Sequence, residues 1–201
     1  MRQAGTTIRL RPPRPEIMAL TPIFLQEALD LGDCERLIEH VQSHPLKDAG
    51  LVKGTSAPQI RRADIAWLED LPQAAWAMDQ MIAHSARANR DHFGFDLSEF
   101  GESAQIARYG AEREAHFDWH SDVGAGQWAS RRKLTIVVQL SDPNDYAGGA
   151  LELRTGHAVT AAPSARGMAT IFPAFVLHRV TPVTEGQRWS LTLWAHGPDF
   201  R

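Results

Sequence analysis

The spacing of apolar residues divides the chain into three parts. Residues 1–22 have little to bury. Arg9, Arg11, Pro12, Pro13, Arg14 and Pro15 make a basic, proline-rich stretch, which is expected to be a flexible, solvated segment. It lacks the apolar run of roughly 7–15 residues that a secretory signal needs, and Met18 is a second candidate for the native start. After Pro22 the period turns helical. Phe24, Leu25, Ala28 and Leu29 form one run, and Cys34, Leu37, Ile38 and Val41 a second, with Asp33 as its expected N-cap. A loop with Gly50, Gly54 and Pro58 follows, then a short extended piece over Gln59–Trp67. Pro72 suits the first residue of a helix. The buried face of that helix is expected at Ala75, Met78, Ile82 and Ala86, ending near Asn89, with Trp76 as core packing.

From about Ala104 the helical period is lost. Short apolar runs alternate with Gly, Pro, Asn and Asp clusters. Candidate strands are 104–109, 115–122, 133–140, 150–154, 158–161, 168–172, 176–180 and 188–195. Ser141–Asp145 and Gly148-Gly149 are turn signals between them. Eight short strands after a helical start predict a mainly β domain, a sandwich or barrel braced by N-terminal helices. The expected organisation is one domain over 23–201, with helical support at about 23–92 and the β core at about 104–196.

Composition narrows the class of function. With 43% hydrophobic and 22% charged residues, 201 residues suffice for one globular domain with a sizeable core. A net charge of −3 argues against nucleic acid as the main partner. No apolar run approaches the ~20 residues of a membrane span. A lone cysteine, Cys34, allows neither an intrachain disulfide nor a cysteine-rich zinc ribbon. A reduced compartment, the cytoplasm, is expected.

The histidines carry the chemistry. The stretch from Tyr109 to Asp122 contains two His-x-Asp pairs, His116/Asp118 and His120/Asp122. Residues i and i+2 of a strand share a face, so either pair can offer one nitrogen and one carboxylate oxygen to a divalent metal. Strand parity does not separate the pairs. A third candidate ligand, His178, lies in an apolar run, and Arg188 follows ten residues later. A turn at Thr184–Gln187 is expected to pair these two strands and bring Arg188 toward the metal. An arginine in so apolar a strand calls for an anion to offset its desolvation, and a carboxylate is the natural partner.

This order resembles the Fe(II)- and 2-oxoglutarate-dependent oxygenases, and more narrowly the branch of prolyl 4-hydroxylases and PKHD-type hydroxylases. Besides the metal pairs, His178 and Arg188, the resemblance rests on Tyr109-Gly110, on Arg132-Lys133-Leu134-Thr135, and on Gln139-Leu140-Ser141-Asp142. Gly148-Gly149-Ala150-Leu151-Glu152-Leu153, Phe172-Pro173 and Trp189-Ser190 extend it. It covers about Gln105–His196. Ala115-His116-Phe117-Asp118 is similar to the His-Phe-Asp of prolyl hydroxylases. Phe117-Asp118-Trp119-His120-Ser121-Asp122 is a longer match to the signature of bacterial relatives, so His120 and Asp122 are the favoured pair. The resemblance implies a double-stranded β-helix, the jelly-roll or cupin-like fold, with His120, Asp122 and His178 on Fe(II). It implies 2-oxoglutarate and O2 as cosubstrates, with ascorbate as a supporting reductant, and release of succinate and CO2. It gives Arg188 the distal carboxylate of 2-oxoglutarate, makes Tyr109 and Thr135 residues that hydrogen-bond the cosubstrate, makes Trp194 an aromatic lining its pocket, and leaves Ser190 as a supporting pocket residue or merely a strand residue.

By the same analogy the substrate is a C–H of a protein or peptide side chain, or of a free amino acid or small metabolite. Nucleic-acid dealkylation fits less well, because the second Arg of that branch, six residues after the first, is here Trp194. The glycines of the segment Gly124–Arg131 suggest a loop over the site mouth, where Trp128 and Arg131 would meet substrate, and Gln59–Trp67 is a second candidate border of that opening. The rival readings are a non-catalytic metal- or 2-oxoglutarate-binding jelly-roll, a sensor or inactive relative, and a zinc hydrolase using the same ligands. The oligomeric state is left open.

Overall fold

The computed structural model describes residues 20–49 and 60–200, with the backbone of two short strands at 51–52 and 55–56. The basic segment up to residue 19, Met18, and the loop residues Gly50, Gly54 and Pro58 lie outside the described residues, as does Gln59. In chain order the elements are β1 (Ile23–Leu25), α1 (Leu31–Gln42), β2 (Lys47–Asp48), β3 (Leu51–Val52), β4 (Thr55–Ser56), β5 (Arg61–Arg62), β6 (Asp64–Trp67) and α2 (Trp76–Ala88). The β half follows: β7 (Gln105–Gly110), β8 (His116–His120), β9 (Arg132–Gln139), β10 (Tyr146–Gly148), β11 (Leu151–Thr155), β12 (Ala158–Ala161), β13 (Ala169–Pro173), β14 (Leu177–Val180) and β15 (Val183–His196). All eight strands expected from the sequence are present.

The strands form two antiparallel sheets. The larger runs β1-β13-β9-β15-β7-β6-β2, with β10 added against β15, and the smaller runs β12-β11-β14-β8-β5. This is the jelly-roll architecture of a double-stranded β-helix, with helices on the outer face of the large sheet. Strand β15 shows why the layers assemble. Trp189, Leu191, Leu193 and Ala195 pack into the core shared with Leu37 of α1 and Met81 of α2. The alternate residues Arg188, Ser190, Thr192 and Trp194 line a cavity on the other face. One face is apolar against helices and the other polar against a cavity, as period 2 dictates. No described helix is long and apolar enough to cross a membrane.

Several expectations are corrected. Residues 24–29 do not form a helix: Ile23–Leu25 pair with β13 instead, and Glu27 takes a positive φ of 53°. A helix of one or two turns is too short to compete with strand pairing. Asp30 caps α1, its carboxylate accepting from the Asp33 N–H at 2.6 Å, so Asp33 lies inside the helix. The buried face of α2 is Ala77, Met81, Ser85 and Ala88. The small residues of that row let the helix approach closely, while Trp76, Met78 and Ile82 pack at its flanks. Thr184–Gln187 is no hairpin turn. It is the start of β15, which pairs there with β10 and not with β14.

Candidate functional site

The pairing of β14 with β8 creates the centre. His178 and His120 stand directly opposite each other in register. Between His120 and Phe117 the register shifts against His178 and Val180, which marks a bulge with one extra residue on β8. The bulge answers the question that parity leaves open. Phe117 and His120 share one face, their rings stacked 3.4 Å apart, and both line the cavity, whereas His116 and Asp118 do not. The expectation that all four His-x-Asp residues share a face is therefore corrected by the bulge. His116 Nδ1 bonds to the Glu114 carbonyl, and the Asp118 carboxylate accepts from the Trp119 N–H.

Just beyond β8, Asp122 is held by its N–H donating to the Ala174 carbonyl at 2.9 Å. Its carboxylate stands 3.7 Å from His120 Nε2 and 3.5 Å from His178 Nε2. Among the described residues these three are the cluster suited to a metal, with ligand atoms within 4.8 Å of one another. Both imidazoles have Nδ1 within 2.9 Å of a backbone carbonyl, His120 at Asp118 and His178 at Val176. A carbonyl only accepts, so Nδ1 carries the proton and Nε2 presents its lone pair to the centre. Burial, reinforced by His178, pushes the His120 imidazole down to about 4, which keeps it a neutral ligand at pH 7. Burial alone would raise the Asp122 carboxyl, but the two imidazoles and Thr135 hold it below its ordinary value. Two neutral nitrogens and one carboxylate are the donor set of non-haem Fe(II) sites with open positions.

Thr135 Oγ1 donates to Asp122 Oδ2 at 2.7 Å. The hydroxyl has one proton, and it is committed to the carboxylate. Thr135→Val is expected to lower metal affinity by about 10–100-fold, the usual cost of losing a partner that orients a ligand, with little change in fold. Titration of the apoprotein with Fe(II) or Mn(II) checks this, and unchanged affinity refutes it.

The cluster opens into a cavity of about 520 Å³ between the sheets, whose wall also holds Tyr109, Arg188, Ser190 and Trp194. Arg188 is 2% exposed. It stands opposite Tyr109 in register, its guanidinium 5.5 Å from that ring, and bonds to the Tyr146 hydroxyl. Among the described residues its Nη1 has no partner, nor has the buried Trp194 Nε1. Burial pulls Arg188 below its ordinary pKa against the two tyrosines. A buried guanidinium without an anion is costly, and a carboxylate ligand would satisfy it. Gly149, at φ +61°, makes room: a Cβ there would lie 3.0 Å from Arg188 Cδ and 2.9 Å from Val183 Cγ2.

Trp128 and Arg131 do not reach the cavity. Trp128 packs on His196 and fills the space beside Gly101, while Arg131 pairs with Glu99 at 2.6 Å. Sequence reasoning missed Glu102, Gln105 and Arg61 on the cavity wall. Glu102 takes both arms of Arg132 at 2.6 Å and also bonds to His196. Burial would raise the Glu102 carboxyl, yet His196 and Arg132 bring it down to about 2. A carboxyl lowered in the folded state stabilises it above the unfolded pKa and loses that contribution as pH falls. The melting-temperature gap between wild type and Glu102→Gln is therefore expected to be full at neutral pH. It closes as pH drops from about 4.5 toward 2. A gap independent of pH in that window refutes the assignment.

Comparison with known proteins agrees with this geometry. The 2OG-Fe(II) oxygenase superfamily matches residues 104–196. A PKHD-type hydroxylase of Teredinibacter turnerae is 36% identical over 87 residues, 43% of this chain and 38% of the relative. Another from Sphingopyxis alaskensis is 35% identical over 99 residues, 46% of this chain and 45% of the relative. The chain thus matches less than half the length of these relatives. Among solved structures, a Pseudomonas putida prolyl-4-hydroxylase superposes with a TM-score of 0.69 at 21% identity, covering 88% of this chain and 92% of that one. A prolyl hydroxylase from Trichoplax adhaerens, in complex with a hypoxia inducible factor peptide fragment, gives 0.71 at 18%, covering 87% and 83%. These structural likenesses establish the fold. Residues 104–196, which carry the His-Asp-His cluster, are similar to the 2OG-Fe(II) oxygenase superfamily and, within it, to PKHD-type hydroxylases.

Proposed function

We propose that this chain is an Fe(II)- and 2-oxoglutarate-dependent dioxygenase that hydroxylates an unactivated C–H, with residues 23–201 acting as one domain in the cytoplasm. One observation carries the reading: a single cavity has both the His120–Asp122–His178 cluster and a buried arginine, Arg188, with an unsatisfied Nη1. A metal site alone would fit a zinc hydrolase or a binding module; the added anion site fits a metal that works with a dicarboxylate.

When bound, Fe(II) and 2-oxoglutarate supply the oxidising chemistry, with O2 consumed, succinate and CO2 released and one oxygen atom delivered to the substrate. The chain's residues bind and orient. His120, Asp122 and His178 hold the iron. Arg188, with Tyr146 beside it, receives the distal carboxylate of 2-oxoglutarate. Tyr109, Trp194 and Ser190 wall the cosubstrate, and Thr135 fixes the Asp122 carboxylate. The enclosing sheets exclude bulk water, which strengthens these contacts.

The substrate class follows by analogy. The prolyl hydroxylases among the structural neighbours, one of them in complex with a peptide, support a protein or peptide side chain, with a free amino acid or small metabolite as the second source of the same C–H. The test is succinate formation from 2-oxoglutarate by the purified protein with Fe(II). A comparison of cell extracts treated with wild type or His178→Ala then seeks a product one oxygen atom heavier. Tight metal binding without succinate from any pool would favour the binding module, and turnover without O2 the hydrolase.

A further inference from the structure

The cavity has a second arginine whose charge the proposed cosubstrate leaves unused. Arg61, on β5 at the edge of the small sheet, lines the same cavity as the metal cluster. Its guanidinium lies 4.6 Å from the Phe117 ring, and Phe117 stacks on His120. It is therefore one ring away from a metal ligand. Its Nη2 donates at 2.6 Å to the Gln105 side-chain oxygen, a neutral acceptor, and its buried Nε has no partner among the described residues.

Apart from Arg188, the other charges on that wall are matched. Glu102 is taken by Arg132 and His196, Asp48 bridges to Arg113 at 3.3 Å, and Asp122 belongs to the metal cluster. Arg61 has no carboxylate among the described residues. Arg61 is half-buried, and a guanidinium with a buried, unbonded Nε and no anion costs stability unless a ligand satisfies it. The planar fork of arginine suits a carboxylate above other anions of the same size. On the reading given above, one carboxylate of 2-oxoglutarate goes to Arg188 and the other end to the metal, so Arg61 faces what enters last.

We infer that Arg61 anchors a carboxylate of the substrate, close to the C–H that is oxidised. Two sources carry that chemistry: the free acid of an amino acid, or an Asp or Glu side chain in a peptide. The inference rests on the dioxygenase reading, but its test is separable from it.

The experiment uses the full chain loaded with Mn(II) and 2-oxoglutarate and measures binding of two matched probe pools. One pool holds free L-amino acids beside their carboxamides. The other holds end-capped peptides bearing Asp or Glu beside the same peptides with Asn or Gln. Wild type is expected to bind acid members of one pool at least about tenfold better than their amides, because a site built for a charged group rejects the neutral analogue. The pool that shows the preference identifies the source. Arg61→Gln should erase the preference, Arg61→Lys should keep part of it, and 2-oxoglutarate affinity should stay within about twofold in both. Circular dichroism and Mn(II) affinity confirm that each variant is folded. Equal binding of acids and amides, no binding in either pool, a preference that survives Arg61→Gln, or a parallel loss of 2-oxoglutarate each overturns the assignment. Absence of Fe(II)-dependent succinate would overturn the dioxygenase reading instead, and the acid-against-amide comparison would still decide the role of Arg61.

Discussion

Replacing His178 by alanine is expected to abolish succinate formation and to lower Fe(II) affinity by more than about 100-fold. Loss of a mere orienting partner costs about 10–100-fold, and His178 is placed as a ligand itself. Its Nε2 is 3.5 Å from Asp122, its ring centroid 4.1 Å from that of His120, and its Nδ1 proton is held by the Val176 carbonyl. Without it, two donors remain, too few to fix the ion. The variant also loses an edge-to-face contact with Phe172 at 4.7 Å, so a stability cost of about 1–3 kcal/mol accompanies the change. His116→Ala separates the two effects. His116 lies outside the cavity on the far side of the bulge, and this variant is expected to keep its iron, whereas His120→Ala loses it. Iron retained by His178→Ala, or lost by His116→Ala, would refute the centre.

Much of this centre was legible in the residue pattern, and the exceptions have physical causes. His178 and Arg188 stand out because each sits in a strand whose apolar neighbours announce burial, while His120 and Asp122 are one of two His-x-Asp pairs between which the family resemblance, not the spacing, chose. The way they meet is not legible. Spacing suggests a hairpin between the strands of His178 and Arg188, yet β14 and β15 lie in different sheets and face each other across the cavity. Alternation is a property of one strand and says nothing about which strand pairs with which. The bulge at Asp118 and Trp119 is invisible for a related reason: an extra residue breaks the parity from which facing is inferred. The α2 face was misplaced because large apolar residues dominate a hydrophobicity reading, while close approach to a sheet selects Ala77, Ser85 and Ala88. The stretch Gln59–Trp67 is readable as a border of the opening, but no signal singles out Arg61 within it. In Arg61-Arg62 nothing distinguishes the arginine that lines the cavity from its neighbour, which bonds to the Arg113 carbonyl.

Arg188→Met is expected to change stability in opposite directions in the two states of the protein. In the apoprotein the guanidinium is almost wholly buried, bonded to Tyr146 and without an anion, with Nη1 unsatisfied. Removing an uncompensated buried charge in favour of an apolar chain of similar length stabilises by about 1–4 kcal/mol, so the apoprotein should melt higher than wild type. The cosubstrate reverses the order. A charge-paired carboxylate lost from a buried site costs about 2–5 kcal/mol, roughly 30-fold or more in 2-oxoglutarate affinity. Ligand at 100 times its dissociation constant stabilises wild type by about 2.7 kcal/mol, and the variant should lose most of that gain. Metal affinity should hardly move, because the charge of Arg188 is not part of the His-Asp-His cluster. Melting curves of both proteins, with and without 2-oxoglutarate and Mn(II), read all of this. A merely structural Arg188 predicts the contrary: a less stable apoprotein and an undiminished response to 2-oxoglutarate.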